Sequence, residues 1–215
     1  MSHELVVVVA GGGPLSSHAA GEVPADAPVI VADDGLEEAQ ALGLEVAVAV
    51  GDFDSASPEA LARAEAAGTQ IERHPAEKDA TDLELALDTA VSLQARRIVV
   101  LAPAGGRLDH ELAGLLLLAS ERYAGVRIDA LVGEARVHVV RGSRELAGEP
   151  GELVTLLAVN GPAEGVTTEE LVYPLHGETL EPGSTRGVSN VFAAEAARIE
   201  LASGVLLAVR PGAKT

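Results

Sequence analysis

Up to about residue 132, the chain alternates between short runs of β-branched residues and longer stretches with helical periodicity. The predicted strands are residues 5–10, 28–32, 46–50, 69–73 (the weakest), 97–102 and 126–132, and the predicted helices are residues 36–42, 58–67, 82–93 and 108–123. Several of these strands are apolar on both faces, which is typical of a parallel sheet covered by helices. The alternation therefore predicts an open, mostly parallel α/β sheet with right-handed crossovers.

The pattern changes after Glu134, where helical periodicity stops and short strands separated by Gly and Pro begin. The predicted strands here are residues 137–139, 153–159, 165–168, 171–175 and 188–193, and residues 142–151 are predicted to form a loop. Residues 199–201 and 205–209 alternate around Ser203-Gly204, which predicts a hairpin. The predicted fold class is α/β, with an open α/β domain over residues 1–134 followed by a small antiparallel β-sandwich over residues 135–215.

The amino-acid composition excludes several classes of function. The 215 residues include 33 acidic and 15 basic side chains, and the resulting charge of −18 argues against unaided binding of nucleic acid, whose phosphates require Lys and Arg. The absence of cysteine excludes disulfides and thiol catalysis. The longest apolar runs, residues 5–13 and 112–119, fall short of the ~20 residues that cross a bilayer, and residues 1–4 lack the positive charge of a signal peptide. We therefore expect a cytoplasmic protein that does not bind a membrane.

Glycine and acidic residues follow one predicted strand after another. The groups are Gly11-Gly12-Gly13, Asp33-Asp34-Gly35, Asp52-Phe53-Asp54-Ser55, Lys78-Asp79-Ala80-Thr81-Asp82 and Gly105-Gly106-Arg107-Leu108-Asp109-His110. Ligands of open α/β sheets bind beyond the carboxyl ends of the strands, so these groups are expected at one edge. Two carboxylates about 4 Å apart repel by ~4 kcal/mol at an effective dielectric constant of 20, so their convergence calls for a cation. Mg²⁺ is expected, because it combines one or two carboxylates with waters and substrate phosphates.

Each group alone also has a structural explanation. The glycine run fits a tight turn as well as a phosphate-binding loop. Asp79 and Asp82 fit the start of a helix, and Arg107 fits an exposed surface as well as a phosphate contact. His110 fits a capping or packing role better than that of a base. The prediction of a metal site therefore depends on the convergence of the aspartates and not on any single motif.

The same groups belong to a longer series of motifs. They are Ala32-Asp33-x-Gly35, Gly51-Asp52-Phe53-Asp54-Ser55, Lys78-Asp79-x-Thr81-Asp82-Leu83, Gly105-Gly106-Arg107-x-Asp109-His110, Gly165-Val166-Thr167-Thr168, Leu171-x-Tyr173-Pro174-Leu175 and Gly187-Val188-Ser189-Asn190. In content and order this series resembles the thiamine pyrophosphokinase family over nearly the whole chain. The resemblance implies a homodimer with active sites between subunits. It also implies transfer of the pyrophosphoryl group of ATP to the hydroxyethyl oxygen of thiamine, with release of AMP.

The resemblance also implies roles for particular residues. Mg²⁺ and the phosphates would be held by Asp52, Asp54, Asp79 and Asp82; the nucleotide or reacting centre would be lined by Gly12, Asp33, Ser55, Arg107 and Asp109; and thiamine would contact Tyr173, Ser189 and Asn190. The catalytic residues would be Asp54, Asp82 and Asp109. The proton acceptor stays open between Asp54 and Asp82.

The sequence departs from the family pattern at four places. Asp34 and Glu170 stand where glycine is usual, Gly114 stands where asparagine is frequent, and Val191-Phe192 replaces a frequent acidic residue. None of these departures affects the four aspartates assigned to the metal.

Two other functions compete with this one. The first is a pyrophosphokinase acting on a hydroxymethyl pterin, and the motifs around Tyr173 and Ser189-Asn190 favour thiamine over it. The second is a non-catalytic nucleotide-binding module on the same fold, against which the intact aspartates argue.

Overall fold

The structure is a computed structural model that describes residues 3–212. Residues 1, 2 and 213–215 lie outside the described residues. They include Lys214 and two of the four N-terminal residues on which the prediction of no signal peptide rests. The chain forms two compact units, one of Met1–Gly114 with Gly125–Gly133 and one of Leu115–Ala124 with Glu134–Thr215. Across residues 3–212, no helix combines the length and the apolar character needed to cross a membrane.

The first unit contains six strands, each parallel to its neighbours. They are β1 (Leu5–Val9), β2 (Val29–Ala32), β3 (Val46–Gly51), β4 (Gln70–Arg73), β5 (Arg97–Ala102) and β6 (Arg127–Val132), in the order β6-β5-β1-β2-β3-β4. The helices are α1 (Gly35–Ala41), α2 (Pro58–Ala67), α3 (Asp82–Ser92) and α4 (Leu108–Leu118), whose residues 115–118 are assigned to the second unit; 3₁₀ turns lie at Ser17–Glu22 in the first unit and at Glu121–Tyr123 in the second. The predicted parallel α/β architecture is confirmed.

Local sequence explains where these elements begin and what they bury. Ser57 caps α2, because its Oγ accepts from the backbone nitrogen of Ala60 at 3.2 Å and Pro58 occupies the first turn. Thr81 caps α3 in the same way, accepting from the nitrogen of Glu84 at 3.2 Å. In the central strand, Val6–Val9 are all 0% exposed, as both faces of a covered parallel strand require. The strand ends are thereby fixed on a rigid core.

The second unit contains two antiparallel sheets. Its strands are β7 (Ala135–Val140), β8 (Ser143–Ala147), β9 (Leu153–Ala158), β10 (Ala163–Glu169), β11 (His176–Leu180), β12 (Asn190–Val191), β13 (Ala196–Glu200) and β14 (Leu206–Arg210), arranged as β12-β9-β14-β7 and β11-β10-β13-β8. Leu156 and Leu206 of one sheet and Val166 and Ile199 of the other belong to one buried cluster. The predicted antiparallel sandwich is confirmed.

Two predicted features of this unit are wrong, namely the hairpin at residues 199–209 and the loop at residues 142–151. The two strands of the predicted hairpin at residues 199–209 are β13 and β14, which pair in different sheets. The turn between them has Gly204 at a φ of 87° and carries the chain from one sheet to the other. The predicted loop at residues 142–151 contains β8, in which Arg144 and Leu146 alternate inward. Nearby Gly and Pro concealed this alternation.

Three other boundaries differ from prediction. Residues 171–175 form a single bridge at Leu171 and not a strand, because Pro174 cannot donate to a ladder. The strand predicted at residues 188–193 is reduced to β12, since Ser189 before it has a φ of 59°. The helix predicted to reach residue 123 ends at Leu118, where Ser120 begins a separate 3₁₀ turn.

Candidate active site

Asp33 joins the carboxyl ends of two neighbouring strands. It follows β2 with a φ of 46°, a left-handed conformation that Asp tolerates better than most residues. Its Oδ1 accepts from the backbone nitrogen of Phe53 at 2.8 Å, and its Oδ2 accepts from the Ser55 hydroxyl at 2.7 Å. The loop after β3 is therefore held against the end of β2.

Gly51 makes this approach possible. A Cβ at Gly51 would lie 3.0 Å from the Cα of Asp33. Any side chain there would force the two strand ends apart.

Asp52 and Asp54 lie in the loop that Asp33 holds. Phe53 between them has a φ of 58° and a side chain buried in the first unit's core, which anchors the loop. The backbone nitrogen of Asp54 donates to Asp52 Oδ1 at 3.1 Å. Carboxylate oxygens of Asp33, Asp52 and Asp54 all lie within 4.8 Å of one another. We call these three residues the acidic centre.

Lys78 connects this centre to the start of α3. Its Nζ lies 3.5 Å from Asp52 Oδ2 and 3.0 Å from Asp82 Oδ1. No role is predicted for Lys78 from the sequence. The available signals were its spacing of four residues from Asp82 and the presence of only one other lysine, Lys214, in the chain.

The pKa values of the group reflect this crowding. The negative charge of Asp52 is the largest cause that raises the pKa of Asp54, with desolvation and Asp33 next. The hydrogen bond from the Asp54 nitrogen is the largest cause that lowers the pKa of Asp52. Partial burial opposes the charge on Lys78, but the hydrogen bonds and charges of Asp82 and Asp52 outweigh it and raise its pKa. At neutral pH the group is crowded with negative charge.

The glycine run after β1 is held by Asp34. The backbone nitrogen of Gly12 donates to Asp34 Oδ2 at 3.1 Å, and burial raises the pKa of Asp34. A Cβ at Gly11 would lie 1.3 Å from Asp34 Oδ1, so the two positions fit only with glycine at residue 11. The family departure at Asp34 therefore has a partner within the chain.

Arg107 and Asp109 form a separate, exposed pair. Arg107 donates to Asp109 through Nη2 at 2.6 Å and Nε at 3.2 Å, and this contact lowers the pKa of Asp109 to about 2. The loop that carries them approaches the glycine run, because a Cβ at Gly106 would lie 3.2 Å from the Gly12 carbonyl oxygen. Neither side chain belongs to the acidic centre.

The other predicted metal ligands lie at different places. Asp82 is connected to the centre through Lys78. Asp79 is exposed and does not belong to the carboxylate group found within residues 3–212. The structure thus brings the carboxylate of Asp33 within 4.8 Å of those of Asp52 and Asp54 and leaves Asp79 outside this group.

The predicted thiamine-side residues surround Asn190 in the second unit. Asn190 is 4% exposed; its Oδ1 accepts from the nitrogens of Tyr173 at 3.0 Å and Val191 at 2.9 Å, and its Nδ2 donates to the Tyr173 carbonyl at 2.7 Å. The Tyr173 ring is exposed, and Ser189 donates its backbone nitrogen to Thr155 Oγ1 at 3.0 Å. Asn190 therefore holds the backbone that presents Tyr173.

Two family departures have structural counterparts. Glu170 has a φ of 59°, the region that glycine enters without strain, which accounts for the usual glycine there. A Cβ at Gly114 would lie 3.2 Å from Leu83 Cδ2, so the usual asparagine would require Leu83 to move.

A parallel α/β sheet with carboxylates gathered at the ends of its strands, followed by a separate antiparallel unit, is an arrangement suited to an enzyme that binds a phosphate ligand through a cation. Residues 23–129 match the family model described as "Thiamin pyrophosphokinase, catalytic domain", and residues 137–206 match "Thiamin pyrophosphokinase, vitamin B1 binding domain". The chain belongs to the thiamine pyrophosphokinase family and is an enzyme that transfers pyrophosphate. The pterin kinase and the non-catalytic module are not favoured.

Individual relatives agree with this assignment. The chain is 28% identical to the Bacillus subtilis (strain 168) thiamine pyrophosphokinase over 164 residues, which cover 75% of this chain and 77% of that protein. A thiamin pyrophosphokinase family protein from Enterococcus faecalis aligns with a TM-score of 0.81 at 29% identity over 97% of this chain and 99% of that one. The crystal structure of the B. subtilis enzyme aligns with a TM-score of 0.85 at 24% identity over 98% and 100% of the two chains and shows the shared fold.

Proposed function

We propose that this chain transfers the pyrophosphoryl group of ATP to the hydroxyethyl oxygen of thiamine and releases AMP. The observation that carries the proposal is the convergence of Asp33, Asp52 and Asp54 at the end of a parallel sheet in a chain of this family. Transfer of this kind depends on positioning and charge neutralisation more than on covalent catalysis, which suits carboxylates that would hold a divalent cation against the phosphates.

The acidic centre fits a hard divalent cation such as Mg²⁺. Its donors are carboxylate oxygens from two strand ends, the ligand type that Mg²⁺ prefers. We propose Asp52 and Asp54 as ligands, with Asp79 and Asp82 on the phosphate side. When bound, Mg²⁺ would neutralise charge on the phosphate oxygens of ATP.

The remaining residues of the first unit would bind ATP and move a proton. Gly12, Asp33, Ser55 and Arg107 are proposed for the nucleotide side, and Asp109 would orient Arg107 through their pair of hydrogen bonds. Asp54 is the leading candidate to accept the hydroxyl proton, because the negative charge of Asp52 raises its pKa. Asp82 is the second candidate.

The second unit would bind thiamine. The thiazolium ring of thiamine is a cation, and an exposed aromatic face attracts cations through its quadrupole. Tyr173 presents such a face, with Ser189 and Asn190 beside it in the chain segment that holds Tyr173. We assign residues 1–134 to ATP binding and catalysis and residues 135–215 to thiamine binding.

We further propose that the enzyme is a cytoplasmic homodimer. In each active site, Tyr173 of one subunit would face the acidic centre of the other, as the family resemblance implies. No nucleic acid or membrane is needed by this function.

An AMP-release assay with Mg²⁺ and ATP tests the proposal. Thiamine, thiamine monophosphate and a hydroxymethyl pterin are compared as acceptors at equal concentration. We expect AMP release with thiamine alone among the three, because only thiamine offers both a cationic ring and a free hydroxyethyl group. AMP release with the pterin and not with thiamine would refute the assignment.

A further inference from the structure

Lys78 is less exposed than lysine side chains usually are. Only 15% of its side chain is exposed, and its partners Asp52 and Asp82 are 19% and 27% exposed. Taking an ammonium group out of water is costly unless it is paired, and here two carboxylates from separate segments pair with it. One partner follows β3 and the other begins α3.

The charge of the surrounding group explains this placement. Asp33, Asp52 and Asp54 crowd their oxygens within 4.8 Å, and Asp82 adds to the charge that raises the pKa of Asp54. A single ammonium group against these carboxylates reduces the repulsion between them but leaves the group negative. The acidic centre therefore keeps an attraction for a further cation.

Lysine is better suited than arginine to pair with both Asp52 and Asp82. The chain has 15 basic residues, of which Lys78 and Lys214 are the lysines. An ammonium group is a compact point charge with three donors, whereas guanidinium is a planar fork suited to a single carboxylate or phosphate. Lysine can therefore contact two aspartates that approach from different directions.

We propose that Lys78 is the internal counter-ion of the acidic centre: it stabilises the metal-free enzyme and opposes the divalent cation, so it sets the affinity for metal. The inference rests on the proposed function in one respect, namely that a divalent cation binds at this centre. It goes beyond that function because it gives Lys78 a role in the metal-free protein.

The test compares wild type with Lys78→Met, which keeps the chain length and removes the charge. Arg96→Met is the matched control, because it removes one positive charge from an exposed pair with Glu4. In EDTA, we expect Lys78→Met to lower Tm by about 2–6 °C and the control to change it little. Electron paramagnetic resonance of added Mn²⁺ then measures metal affinity, which we expect to be about 5-fold tighter in Lys78→Met, since a nearby like charge has been removed.

A variant that keeps the positive charge at residue 78 distinguishes an electrostatic role of Lys78 from a packing role. Lys78→Arg keeps the charge but not the compact geometry, so it is expected to bind Mn²⁺ nearly as weakly as wild type while its Tm in EDTA falls between those of wild type and Lys78→Met. Mn²⁺ binding by Lys78→Met that is unchanged or weaker would overturn the inference, because a residue that only shapes the loop would misplace the ligands when removed. If Lys78→Met fails to fold, Mn²⁺ binding by Lys78→Gln decides in the same way. The two proposals can fail separately. If the wild-type protein releases AMP from ATP and thiamine but Lys78→Met binds Mn²⁺ no more tightly than wild type, the proposed function holds and only the inference about Lys78 is wrong.

Discussion

At the scale of single residues, the two aspartates of the loop after β3 have different environments although they are two positions apart. Asp52 accepts a backbone hydrogen bond and contacts Lys78, and its pKa is lowered. Asp54 is exposed and has its pKa raised, chiefly by the charge of Asp52. The two carboxylates therefore differ in their pKa values, with that of Asp52 lowered and that of Asp54 raised.

Asp54→Ala is expected to lower kcat by ~10²–10³-fold, because it removes a carboxylate proposed to hold the divalent cation that would neutralise charge at the reacting phosphates. Tm in EDTA is expected to stay equal or rise, since a repulsive charge is lost. Steady-state AMP release and thermal unfolding measure the two effects. Turnover at the wild-type rate would remove Asp54 from the site.

Tyr173→Ala is expected to raise KM for thiamine by about 10-fold and to leave KM for ATP unchanged, because an exposed ring contributes a cation–π contact of ~1–2 kcal/mol. Tyr173→Phe keeps the ring and is expected to retain most of the affinity. The neighbouring exposed residue gives a control, Val172→Ala, for which neither constant is expected to change. Equal effects of Tyr173→Ala on both substrates would contradict a role in binding thiamine.

At the scale of elements, a buried carboxamide connects two segments of the second unit. Asn190 in β12 makes three hydrogen bonds to the backbone of Tyr173 and Val191, and its own strand pairs with β9. The irregular segment around Tyr173, which has no ladder of its own, is therefore positioned by a side chain. This arrangement makes Asn190 a positioning residue for the proposed thiamine contact.

Asn190→Ala is expected to cost ~1–3 kcal/mol of stability, because it leaves buried backbone groups unpaired, and to raise KM for thiamine. The matched control is Asn160→Ala, in which an exposed asparagine loses hydrogen bonds to the carbonyls of Leu116 and Ala119. We expect the control to lower stability without changing KM. If both variants change KM alike, Asn190 has no specific role in positioning Tyr173.

The same scale shows what the sequence could predict. The parallel strands and the aspartates at their ends were predictable, because β-branched runs and the residues that follow them are local signals. The separation of β13 from β14 was not, since the choice of sheet depends on pairing with β8, β10, β7 and β9, which are distant in the chain. The contact of Lys78 with Asp52 was hidden for the same reason, as it joins two loops.

Within the site, the positions of the aspartates also depend on the backbone conformation of the loops, which could not be predicted from the sequence. Asp33 stays proposed for the nucleotide side, and its left-handed backbone and its hydrogen bonds to the next loop also bring its carboxylate within 4.8 Å of those of Asp52 and Asp54. Asp79 has the same side chain and a similar motif position, yet it lies outside the centre within the described part of the chain. The motif identifies the aspartates, and the loop conformation selects among them.

At the scale of the whole molecule, the two units carry different parts of the proposed chemistry. The first provides carboxylates and glycine loops, and the second provides an exposed aromatic residue. In a homodimer that builds each active site from both subunits, a defect in the first unit of one chain and a defect in the second unit of the other chain would complement each other. In a chain that forms its site alone, they would not.

Co-expression of Asp54→Ala and Tyr173→Ala chains tests this arrangement. The assay uses thiamine well below the wild-type KM, where Asp54→Ala is nearly inactive and Tyr173→Ala keeps about one tenth of the wild-type activity. Random pairing is expected to restore about one quarter of the wild-type activity, since half of the dimers are mixed and one of the two sites in each is intact. Activity that stays at the level of the separate variants would show that each site is built within one chain.

The bonds from Asp33 to Phe53 and Ser55 have a practical consequence for redesign. Residues 32–35 and 51–55 must be exchanged between homologues as one cassette, because either piece alone would lose its counterpart. A library intended to accept a new alcohol is better placed around residues 171–175, where mutations leave that cassette intact.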